Sequence, residues 1–289
     1  MQEALEDHKT TISIGGREVC NLRFADDIDL MGGTNEELQE LTDRLVNRAG
    51  AYGMEVSTEK SKTMVNSANT DHAKIHMNGS LLEDVSTFKY LGATLNKDGT
   101  CTAEINSRIG AATSAMTKLN RIWKSGIRLC TKLKLYKSLV VSIVLYGCET
   151  WTLTAALEKK IQAFENKCLR KLLQISWTEH KTNNYVWSKI EGLAGPQEPL
   201  LSTAKRRKLK WFGHNTRRCS LSKIIMQGTI QGQRTRGRPR KNWHENIREW
   251  TGLQNHQLLR AAADRQQWRR VVLSATPKSP LRLTPQSRV

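Results

Sequence analysis

The 289-residue chain carries 46 Lys and Arg against 27 Asp and Glu, a net charge of +19 that is graded steeply along its length: residues 1–100 sum to −7, residues 101–200 to +8 and residues 201–289 to +18. The length excludes a peptide or one small module and, at ~150 residues per domain, suits two domains. The basic end needs a polyanionic partner, and nucleic acid suits it better than a membrane surface, because each phosphate neutralised by Lys or Arg releases condensed counterions.

The first residues, MQEALEDHK, are acidic with no apolar run behind them, so no secretory signal is expected. The longest apolar run, Leu139 to Tyr146, is interrupted by Ser142 and falls far short of the ~20 residues that span a bilayer. Six widely spread cysteines without a CxxC pair suit free thiols in nucleus and cytoplasm.

Residues 18–31, EVCNLRFADDIDLM, alternate on either side of a two-aspartate step and predict a hairpin turning near Ala25-Asp26. Thr34-Asn-Glu-Glu37 reads as a capping box for a helix over 34–49, with Leu38, Leu41 and Leu45 on one face and Gly50 or Gly53 as the stop. Strand-like pieces follow at Met54–Val56, Met64–Val65, Ile75–Met77 and Phe88–Leu95, with Asn78-Gly79 a hairpin turn and Asn96–Gly99 a loop.

From Thr102 the period becomes helical. One helix is predicted through Ile105, Ile109, Ala112, Met116, Leu119 and Ile122, a second from Leu133 to Tyr146 ended by Gly147, and a third lined by Leu157, Ile161, Phe164, Cys168 and Leu172 with lysines and arginines outside. GLAGPQEP at 192–199 breaks the period and reads as a boundary before basic helical stretches near 203–218, 242–250 and 256–272. The fold class is therefore α+β, divided into 1–100, a helical 101–191, a linker over 192–202 and a basic 203–289.

Phe24-Ala-Asp-Asp27 would hold Asp26 and Asp27 at the tip of an apolar-flanked hairpin, where a hard cation such as Mg²⁺ suits carboxylate oxygens; Asp is equally a good turn residue. In its context, the tetrapeptide resembles the catalytic hairpin of LINE-type (non-LTR) retrotransposon reverse transcriptases. The helix at 34–49, Gly53-Met-Glu-Val56 and Glu59-Lys-Ser-Lys62 follow in the family's order, and Phe88-Lys-Tyr-Leu-Gly92 is similar to its primer-gripping hairpin. Leu145 to Trp151, Arg207 to His214, Gly237 to Trp243 and Asp264 to Trp268 look like its thumb and C-terminal region, so the likeness covers nearly the whole chain.

The resemblance implies the end of a palm, a helical thumb and a nucleic-acid-binding tail, acting in RNA-directed DNA polymerisation on an RNA template and a DNA primer or target. It implies two Mg²⁺ ions held between Asp26 and an aspartate of an earlier strand, with Asp27 as the less demanding position. Lys60 matches a lysine near the nucleotide, poised to donate a proton to pyrophosphate or to place its charge; a solvated turn lysine is the plain alternative. Ser57 stands where the family usually has asparagine, and Lys89 lies in the primer-gripping hairpin. Only 25 residues precede Asp26, so fingers, the first part of the palm and an endonuclease are expected in a parent polyprotein, and the chain alone is expected not to polymerise.

Arg234 to Lys241 contains Arg-Gly-Arg-Pro and resembles an AT-hook, in which Arg236 and Arg238 would enter a narrow minor groove beside Arg240 and Lys241; a basic loop touching any phosphate backbone is the alternative. Lys205-Arg206-Arg207-Lys208 reads as a phosphate contact or a nuclear address. Trp211, Trp243, Trp250 and Trp268, at helical spacing, read as core rather than as base-stacking platforms, and His214, Cys219, His244 and His256 lack zinc-site spacing. A non-catalytic nucleic-acid-binding protein descended from such an element is the second functional reading.

Overall fold

The computed structural model describes residues 12–65, 73–228 and 240–276. They divide into two units: residues 12–65 and 73–100 with 218–228, and residues 101–217 with 240–276.

The first unit is built from small sheets and one long helix. Strands β1 (Ser13–Ile14) and β2 (Arg17–Glu18) pair with each other, as do β3 (Asn21–Phe24) and β4 (Asp27–Leu30). Helix α1 (Asn35–Ala51) starts where the Thr34 hydroxyl accepts from the Glu37 amide at 3.2 Å, while the Glu37 carboxylate accepts from Gly33 at 3.0 Å, one residue outside the expected reciprocal box. Leu41, Leu45 and Ala49 face inward, and Gly53, at φ +69°, rather than the helical Gly50, takes the left-handed position after the helix. Met54–Val56 is not a strand, because the Met54 amide donates back to Ala49 at the helix end.

Next come β5 (Lys62–Thr63), β6 (His76–Met77), β7 (Ser80–Leu81), β8 (Glu83–Asp84), β9 (Thr87–Tyr90) and β10 (Ala93–Asn96). Asn78-Gly79 closes β6–β7 with both residues at positive φ, as the primed hairpin turn requires. Leu91-Gly92 does the same between β9 and β10, so Phe88–Leu95 is a hairpin rather than one strand. Among the described residues, strands pair only two at a time, β5 with β8 in parallel, over a small core of Ala73, Ile75, Met77 and Leu82. A short helix, α9 (Leu221–Gln227), lies against the β1–β2 turn.

The second unit is helical. The expected single helix ends early: α2 (Thr102–Lys118) stops at Leu119 and α3 (Asn120–Lys124) follows, because buried Trp123 donates its indole N–H back to the Met116 carbonyl at 2.9 Å. Helix α4 (Leu129–Tyr136) begins four residues before Leu133, widens into a π-helical stretch over Lys137–Val141, and continues as α5 (Ser142–Val144) before Gly147 turns at φ +66°. Helix α6 (Ala155–Leu172) buries its five expected positions.

Residues 192–202 join two helices of one core rather than two domains. Helix α7 (Asn183–Ala194) and helix α8 (Leu200–Thr216) contribute Ile190, Leu200, Leu201 and Ala204 to the cluster that contains Trp123, Val140 and Ile161. The buried Glu165 carboxylate accepts from the Leu200 amide at 2.8 Å and so caps α8 from across the core, and burial pushes its carboxyl up to about 8.

Helix α10 (Trp243–Thr251) forms as expected, whereas the stretch 256–272 is two helices, α11 (Asn255–Ala263) and α12 (Arg265–Ala275), divided by Asp264, whose carboxylate accepts from the Gln266 amide and caps α12. Gly213 lets Trp268 approach α8, since a Cβ there would sit 2.2 Å from the indole. No helix among the described residues is long and apolar enough to cross a membrane.

Candidate active site

The aspartate hairpin folds from local rules. Phe24 pairs with Asp27 and Leu22 with Asp29 across the ladder, leaving Ala25-Asp26 as a two-residue loop. Such loops need a left-handed first residue to match the right-handed twist of the strands, and Ala25 supplies it at φ +50°, a costly conformation for a residue with a Cβ. The outcome is an exposed tip: Asp26 and Asp27 both face solvent, and Phe24 is 63 % exposed beside them.

Period-two alternation places Asp27 and Asp29 on one face of β4. Asp29 is half-buried, and burial raises its carboxyl above the ordinary aspartate range. The Tyr90 hydroxyl at the end of β9 is also raised, chiefly by burial and then by the negative charges of Asp29 and Asp27. Tyr90 thus feels the charges of the hairpin carboxylates, while its neighbour Lys89 is exposed on the alternate face of β9, opposite Thr94. Neither Asp29 nor Tyr90 was singled out from the sequence, because the motif stops at Asp27; the alternation of FADDID was the available signal.

Asp26, Asp27 and Asp29 offer hard oxygen donors, the right chemistry for Mg²⁺. Among the described residues, however, no three His, Cys, Asp or Glu side chains converge as a metal-holding group, so the hairpin supplies a partial ligand set. Lys60 is exposed in the turn at 58–60, which Ser61 closes by donating its amide and hydroxyl to Ser57; no described contact joins Lys60 to the aspartates.

The basic run of α8 is largely turned to structural use. Lys205 pairs with Glu158 at 2.9 Å, Arg206 pairs with Glu198, and Arg207 donates to the Leu145 carbonyl at 3.1 Å. Lys208 is 1 % exposed. Its ammonium donates to the Trp151 carbonyl at 2.7 Å and to Asn246 Oδ1 at 3.0 Å, and it lies 4.4 Å from the centre of the Trp243 ring. Burial lowers its pKa to about 7. Lys208 is thus a core cation, and the expectation of a phosphate contact fails there because the side chain is enclosed.

Arg240 is exposed and Lys241 pairs with Glu249 at 2.6 Å, while Arg236 and Arg238 lie outside the described residues. His244 packs edge-on against Phe212 and Trp243, at 5.8 and 5.3 Å, instead of joining His214, Cys219 or His256. Trp268 is core as expected, and Trp211, Trp243 and Trp250 are partly buried.

Residues 1–95, the span holding the aspartate hairpin, α1 and Tyr90, match the reverse transcriptase (RNA-dependent DNA polymerase) family. The match covers about a third of the chain. A transposon-derived protein of Caenorhabditis elegans is 29% identical over 209 residues, covering 71% of this chain and 74% of that protein. The RNA-directed DNA polymerases from mobile element jockey of Drosophila funebris and Drosophila melanogaster are 26% and 22% identical over 170 and 180 residues, covering 55% and 59% of this chain. The matched part spans about a fifth of each jockey polymerase. No solved structure matches the chain.

Proposed function

We propose that the chain is the part of a non-LTR retrotransposon RNA-directed DNA polymerase that carries the catalytic aspartate hairpin, the thumb and a basic nucleic-acid-binding tail. The observation that carries this reading is the exposed, locally strained tip at Ala25-Asp26 inside the segment that matches the reverse transcriptase family. Asp26 would hold Mg²⁺ with Asp27 as the second position; a bound metal would offset negative charge on the reacting phosphate and make the primer hydroxyl easier to deprotonate. Lys60 would place a positive charge near the nucleotide, and Lys89 with Arg236, Arg238, Arg240 and Lys241 would meet phosphates of RNA template and DNA primer.

A two-metal site needs ligands converging from separate strands, and the hairpin provides one. On this reading the remaining ligands would come from outside the described residues, and the hairpin alone would not support polymerisation. Nuclear and cytoplasmic residence fits such a protein. Primer extension on an RNA template with the chain alone should give no product; a product that disappears in Asp26→Ala would overturn the claim of inactivity and confirm the aspartate. The C. elegans relative, three-quarters covered by this chain, is transposon-derived, and the basic charge of residues 101–289 supports a second reading, a non-catalytic nucleic-acid binder of transposon origin. That reading keeps salt-dependent binding and predicts no role for Asp26.

A further inference from the structure

Trp177 is 82 % exposed, the most exposed large hydrophobic side chain among the described residues. It sits on a rigid support: a 3₁₀ turn, Trp177–Glu179, whose Ser176 hydroxyl accepts from the Thr178 amide while the Glu179 carboxylate accepts from the Ser176 amide at 2.8 Å. An indole fixed in water by a closed capping box contributes nothing to the core beneath it. Eight residues on, Tyr185 is also exposed, with the Lys181 and Lys189 ammonium groups 5.1 and 5.9 Å from its ring centre. Thr182 caps the start of α7 by accepting from the Tyr185 amide, and Arg170 on α6 holds Asn183 at 2.8 Å, so the second aromatic is also anchored.

Charge completes the pattern. Between residues 166 and 190 the chain has Lys167, Arg170, Lys171, Lys181 and Lys189 against one acid, Glu179, and that acid is spent on the turn. Exposed flat rings interleaved with cations suit one occupant: bases stack on the rings regardless of sequence while the cations follow the phosphates, which a duplex, with its bases already stacked, cannot exploit. We infer that Trp177 and Tyr185, with Lys181 and Lys189, form a stacking platform for single-stranded nucleic acid. The inference rests on the nucleic-acid reading above and assigns it a surface distinct from the α8 and C-terminal basic runs.

The test uses the whole chain with two fluorescent probes, a single-stranded oligo(dT) and a duplex of equal length, across a salt series. Trp177→Ala should weaken oligo(dT) binding about ten-fold or more and the duplex less than about two-fold, with an unchanged salt slope, whereas Trp177→Phe should keep most of the affinity. Tyr185→Ala should act in the same direction, and Lys181→Gln with Lys189→Gln should lower the salt slope instead. Wild-type binding of oligo(dT) left intact by Trp177→Ala would overturn the platform and spare the nucleic-acid reading; equal losses on both probes would also overturn it. No binding of either probe would overturn both. A self-association of the chain in sedimentation that Trp177→Ala abolishes, with oligo(dT) binding unaffected, would assign the surface to a second copy and refute the inference.

Discussion

The aspartate hairpin and the Lys208 cluster use charge in opposite ways. At the Ala25-Asp26 turn the carboxylates of Asp26 and Asp27 stand in solvent on a two-stranded ribbon. At Lys208 a lysine is enclosed by Trp151, Trp243 and Asn246 within the large helical core, and burial is the main cause that lowers its pKa to about 7. The first arrangement leaves charge available to a ligand and adds little to stability; the second spends charge to join α8 to α10 and leaves none for a ligand.

The contrast is sharpest in its largest expected effect. Lys208→Ala should destabilise the helical unit by about 3–5 kcal/mol, because the Trp151 carbonyl loses its donor and a cavity opens. Thermal unfolding measures it, and a change below about 1 kcal/mol would mean that the enclosed cation does not hold the unit together. Gly213→Ala should follow at about 1–3 kcal/mol, since its Cβ would meet the Trp268 indole at 2.2 Å.

Glu165 gives a pH-dependent effect. Its carboxyl, pushed from the ordinary 4.5 to about 8, contributes stability that is complete below pH 4.5 and is lost as pH rises through 8. Glu165→Gln can still accept from Leu200 and has no charge to bury, so its stability relative to wild type should improve by on the order of 3 kcal/mol from pH 5 to pH 8. A difference that is flat with pH would show that Glu165 is already ionised in the core. Smallest of all, Asp26→Ala should shift stability by less than about 0.5 kcal/mol, and a larger loss would make the aspartate structural.

The hairpin was legible in the sequence because its determinants are local: alternation, a two-residue turn and a tetrapeptide with a known context. The start and stop of α1 were legible for the same reason, through Thr34 and Gly53. What escaped depends on distant partners. The break at Leu119 follows from where Trp123 finds a carbonyl, and the continuity of 192–202 follows from Glu165 capping a helix 35 residues away. The basic run at 205–208 misled because composition counts charges without showing which of them point inward. Trp177 carried no periodic signal, and only its exposure marks it.

Manganese titration of the isotopically labelled chain, followed by amide NMR, tests the central claim most directly, since Mn²⁺ replaces Mg²⁺ at oxygen ligands and broadens only nearby signals. Broadening that begins at residues 24–29, at concentrations expected of a partial ligand set, and vanishes in Asp26→Asn is the predicted result. Broadening elsewhere, or at the hairpin but unchanged in Asp26→Asn, would contradict the assignment of Asp26 as a metal-holding catalytic aspartate.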